Sequence, residues 1–167
     1  MSESSKFSLL ADFGTVEVPY GYVHSTAPGK FAEIDAEYSN YFNPASIAAN
    51  LNPSRMLKPG ERLRVQAFKQ TGSSETSKVD RMDFLHNQGA IYTGVRGAIL
   101  VFEQKRQLLP EHSFFVSFDE LECRLKVAGG CLLTYVCARG VQQLVGDLNS
   151  FGMPWTTYNN FLCFTEE

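Results

Sequence analysis

The sequence predicts an α+β fold: a mainly antiparallel β-sheet, sandwich- or barrel-like, with three to four short helices packed on one side. Two observations carry this. Glu122 to Cys137, ECRLKVAGGCLLTYVC, alternates charged and apolar residues up to a glycine pair, the pattern of a β-hairpin. Elsewhere, segments with a period of two and segments with helical spacing fall in blocks, without the repeated βαβ order of a parallel fold.

In the hairpin, Gly129-Gly130 supplies the two-residue turn, and glycine tolerates the positive φ angles such a turn requires. With Ala128 and Cys131 closing it, Cys123, Leu125 and Val127 stand opposite Val136, Thr134 and Leu132. Thr15 to Val23 reads as a first strand, confined to an edge by Pro19. Phe31, Ile34, Tyr38 and Tyr41 then follow helical spacing, and Asn43-Pro44 opens a short helix through Ala45 to Leu51. After the turn at Lys58-Pro59-Gly60, the segment Arg62 to Phe68 alternates, with Leu63, Val65 and Ala67 inward.

Thr71 to Thr76 is a polar loop. Ser77 and Asp80 resemble a capping box ahead of a helix that presents Val79, Met82 and Leu85 on one face and ends at Asn87 or Gly89. Ala98 to Phe102 (AILVF) is apolar on both faces and is taken as the central strand. Ser113 to Phe118 alternates, placing Phe114, Val116 and Phe118 together. Val141, Leu144, Val145 and Leu148 have helical spacing, and Tyr158 to Phe164 is a last strand. No internal repeat or linker divides the chain, so residues 1–167 are expected to form one domain.

The composition excludes several partners. A formal net charge of -3 argues against nucleic acid and anionic membranes, the nearest basic stretch being Arg96 to Arg106. No run of about 18 apolar residues is present to span a bilayer, and the N-terminal MSESSKFSLLADFG lacks a secretory pattern. A cytoplasmic location is therefore expected. Cys123, Cys131, Cys137 and Cys163 have no zinc spacing and are read as reduced, buried thiols; no metal site is expected.

Chemistry-bearing motifs are sparse. His112-Ser113 places its hydroxyl one residue too early for a paired His-x-Ser/Thr phosphoesterase, and His86 has no hydroxyl neighbour. Gly94-Val95-Arg96-Gly97 matches neither a dinucleotide fingerprint nor a P-loop. Tyr22-Val23-His24-Ser25-Thr26-Ala27-Pro28-Gly29, followed by Phe31 and Ile34, resembles the first segment of diphtheria-type ADP-ribosyltransferases. That resemblance implies NAD as cofactor and His24 as its orienting residue, with Thr26 beside it. It implies that Tyr92, in Gly89-Ala90-Ile91-Tyr92, belongs to the nicotinamide-stacking segment, and it nominates Glu120, or Glu103, as the catalytic carboxylate.

Ser25 stands where that family has glycine, and the stacking segment lacks its second aromatic. The preferred reading is accordingly a non-catalytic binding or assembly protein without a cofactor, whose partner is another protein or a second copy of itself. Trp155 and Tyr158, in the polar stretch MPWTTYNNFLCF, are its candidate binding residues, because aromatic rings among hydrogen-bonding neighbours suit a contact surface. Transferase chemistry centred on His24 is the alternative.

Overall fold

The computed structural model describes residues 6–20, 57–72, 76, 78–118, 126–127, 130–146 and 159–167. Its sheet is built from β1 (Phe7–Glu17), β2 (Arg62–Gln70), β3 (Phe114–Ser117), β4 (Lys126–Val127), β5 (Gly130–Cys137), β6 (Gly140–Gly146) and β7 (Asn159–Glu166). Two α-helices, α1 (Lys78–Asn87) and α2 (Gly94–Lys105), and a 3-10 turn at Arg106–Leu108 complete the described elements. The strand order is β1-β2-β7-β3-β5-β4, with β6 also on β5. Because β6 pairs along β5 from Cys131 to Cys137, β3 and β4 must share the opposite side of β5, one after the other. The sheet is open and mixed: β3 and β7 run parallel, and every other pair is antiparallel.

The helices lie on opposite faces, not on one side as the sequence suggests. β7 shows this most directly, since successive side chains on a strand point to opposite faces. Leu162 and Phe164 belong to the core under α2, and Phe161 and Cys163 to the core under α1. In β2, Leu63, Val65 and Ala67 face α2 as their alternation predicts, and Phe68 turns to α1.

The apolar run Ala98 to Phe102 is helical. Its five residues are buried as expected, but within α2, whose residues Gly94 to Phe102 are all buried. A short run apolar on every side carries no periodicity, and a helix enclosed on all sides satisfies it as well as a covered strand does. α2 begins against the sheet: Gly94 N–H donates to the Phe118 carbonyl (3.2 Å), and Ser117 Oγ donates to the Gly94 carbonyl (2.6 Å). Farther along, Gln104 exchanges two hydrogen bonds with the backbone of Glu17 (2.9 and 2.7 Å).

The converse correction falls on Val141 to Leu148. Its described part is strand β6, joined to β5 by a two-residue connection at Ala138-Arg139, with Cys137 opposite Gly140. The spacing of Val141, Leu144 and Val145 fits a helix by count, but pairing along the whole of β5 prevails. The hairpin of β4 and β5 forms one residue earlier than read: Val127 pairs with Gly130 and Lys126 with Cys131, so Gly130 belongs to the strand. The first strand runs from Phe7 to Glu17 and ends before Pro19, whereas Thr15 to Val23 was the expectation. The expected helices at 31–41 and 44–51 lie outside the described residues.

α1 ends where predicted. Gly89, at φ +68°, allows its own N–H to reach the His86 carbonyl (2.9 Å) and the Ala90 N–H to reach Leu85 (3.0 Å), closing the last turn. Of its predicted face, Leu85 is buried and Met82 packs half-buried against the core, whereas Val79 is 63% exposed and Arg81 is buried. The Arg81 guanidinium lies over the rings of Phe7 (5.6 Å) and Phe161 (5.9 Å) and donates to the Thr76 carbonyl (3.4 Å). Burial lowers its pKa to about 10, which still leaves it charged at neutral pH. Phe161 meets Phe7, Phe84 and Phe118 edge-on or nearly so, and Phe68 in a stack.

Gly97 of α2 has no room for a side chain: a Cβ there would overlap Thr93 Oγ1 in the preceding turn and come within 2.7 Å of the Phe164 ring of β7. Alanine in a helix is intrinsically favoured over glycine by about 1 kcal/mol, whereas overpacking costs about 1–3 kcal/mol. Gly97→Ala should therefore lower the midpoint of denaturant unfolding. A raised midpoint would show that the Thr93 and Phe164 side chains do not crowd Gly97 as described.

Candidate interaction surface

Of the residues nominated from sequence, Tyr92 and Glu103 lie among those described. Tyr92 is half-buried against the α1-side core, and its hydroxyl donates to the Met82 carbonyl (3.4 Å), a packing role between the loop after α1 and the helix itself. His24, Thr26, Glu120, Trp155 and Tyr158 lie outside the described residues. The other two histidines, His86 and His112, are exposed, one at the end of α1 and the other beyond α2, and Glu103 is exposed on α2. Among the described residues, no group of three or more histidine, cysteine, aspartate or glutamate side chains could hold a metal ion. No helix among them is long and apolar enough to cross a membrane.

The basic stretch Arg96 to Arg106 does not form a continuous surface. Arg96 is buried in the first turns of α2, and Arg106 lies over the Phe102 ring at 5.2 Å. Gly94 to Gly97, the nearest approach to a phosphate loop, is that same buried helical start.

What the structure does expose is apolar surface on β1. Leu9 is 52% and Leu10 38% accessible, on a strand that pairs only with β2 among the described residues. The cause is visible in the register. Phe7, Leu9, Ala11 and Phe13 would share one face of a regular strand, but pairing shifts between Leu9 and Ala11 and again between Asp12 and Gly14. Each shift inserts one residue and reverses the faces beyond it. Phe7 therefore packs under α1 and Phe13 under α2, where it meets Phe115 edge-on at 5.5 Å. Leu9 shares the α1-side face with its partner Phe68, but stands open to solvent.

A polar cluster adjoins the leucines. Asp12 accepts hydrogen bonds from Arg64 (2.5 Å from one terminal nitrogen, 3.2 Å from Nε), from the Gly14 N–H (2.9 Å) and from Gln66 (3.4 Å). Hydrogen bonding to Arg64, with the Gly14 N–H next, holds the Asp12 carboxyl below its ordinary value. At the strand's start, Lys6 pairs with Asp80 of α1 (2.7 Å). Sequence reading missed this surface because it began the first strand at Thr15. The alternation of Phe7, Leu9, Ala11 and Phe13 was the available signal.

Two of the cysteines fit inert packing. Cys137 and Cys163 are free and buried, and burial pushes the Cys163 thiol up to about 11. At pH 8 only on the order of one Cys163 in a thousand is then thiolate, the reactive form. Ellman's reagent at that pH should leave both thiols unmodified in the folded protein and titrate them after unfolding; prompt labelling of Cys163 in the native state would contradict its burial.

Asp12 supplies a second test. Its lowered pKa means that the pair's contribution is present above the unfolded value of about 3.9 and is lost as pH falls through the folded value. The pair is exposed and screened by solvent, so the loss should be small. Carbon-detected NMR titration should place Asp12 below the ordinary aspartate value and move it up toward that value in Arg64→Ala; an ordinary value in the wild type would contradict the cluster. Comparison with protein-family models, with curated proteins and with solved structures finds no match for this chain.

Proposed function

We propose that this chain is a non-catalytic binding or assembly protein, with a second copy of itself as the first partner to test. The observation that supports this most is the pair of neighbouring leucines, Leu9 and Leu10, left open to solvent on a strand at one end of the described sheet. Apolar side chains rimmed by a fixed polar group such as the Asp12–Arg64 pair have the composition of a contact site. The two register shifts interrupt the regular row of backbone groups that an added strand would need. Recognition at β1 therefore runs through side chains and not through extension of the sheet. Trp155 and Tyr158 are the aromatic residues that the sequence nominates for the same role.

The burial and reduced state of Cys137 and Cys163 support placing the protein in the cytoplasm, where thiols stay reduced. No cofactor is needed for this function. The packing role of Tyr92 gives the NAD-transferase alternative no added support.

Sedimentation velocity over a concentration series tests the proposal. The wild type should associate, and Leu9→Ser/Leu10→Ser should weaken that association by at least tenfold. Its melting temperature should stay near wild type, since exposed substitutions usually change stability by within about 0.5 kcal/mol. A wild type that remains monomeric at every concentration overturns self-association. Consumption of NAD by the purified protein, abolished in His24→Ala, would replace the binding reading with the transferase one.

A further inference from the structure

We draw no further inference here: the strongest candidate, the buried Arg81 guanidinium between α1 and the sheet, carries nothing because its contacts with Phe7, Phe161 and Thr76 belong to the core packing already described.

Discussion

The position of β7 governs the rest of the structure. This strand comes from the end of the sequence, yet it lies between β2 and β3, antiparallel to one and parallel to the other. Phe161 has a partner on both sides, Phe68 and Val116, and the Phe164 carbonyl accepts a hydrogen bond from the Ile91 N–H (2.7 Å). A strand so placed must be apolar on both faces, and Phe161-Leu162-Cys163-Phe164 meets that condition without interruption. Joining the β1-β2 pair to the β3-β5-β6 group depends on this segment.

Each face of β7 then organises one helix. On one side, Leu162 and Phe164 join the core under α2, and the absence of a side chain at Gly97 leaves room for the Phe164 ring. On the other, Phe161 meets Phe7, Phe68 and Phe118 from the sheet side and Phe84 from α1 itself, with Arg81 laid over two of the rings. Five phenylalanines gather in this second core, where mostly edge-to-face rings fill the space between the helix and the sheet. The cover ends before it reaches Leu9, so a continuation of the same apolar face becomes exposed surface near Asp12 and Arg64.

Legibility in the sequence followed how each segment is buried. Arg62 to Phe68 has one covered face and one largely polar face, so its alternation was readable, as was the Gly89 stop of α1. Ala98 to Phe102 is enclosed on every side, which removes the period that separates helix from strand; burial was legible and conformation was not. Val141 to Gly146 was misread because two valines and a leucine can match helical spacing by chance, whereas its pairing with β5 is a long-range property. The surface on β1 was hidden for another reason: two register shifts split the alternation of Phe7 to Phe13 between faces, and no local rule fixes where such shifts fall. Tyr92 was nominated through a resemblance of a few residues, and its contact with Met82 depends on the fold of the preceding helix.

Native-state hydrogen exchange on the last strand tests the central claim most directly. A strand hydrogen-bonded to neighbours on both sides and covered on both faces opens only when the sheet itself comes apart. The amides of Phe161 to Phe164 should rank among the slowest in the protein and exchange only with the free energy of global unfolding. Exchange of these amides at rates typical of local fraying, while β2 remains protected, would contradict the account.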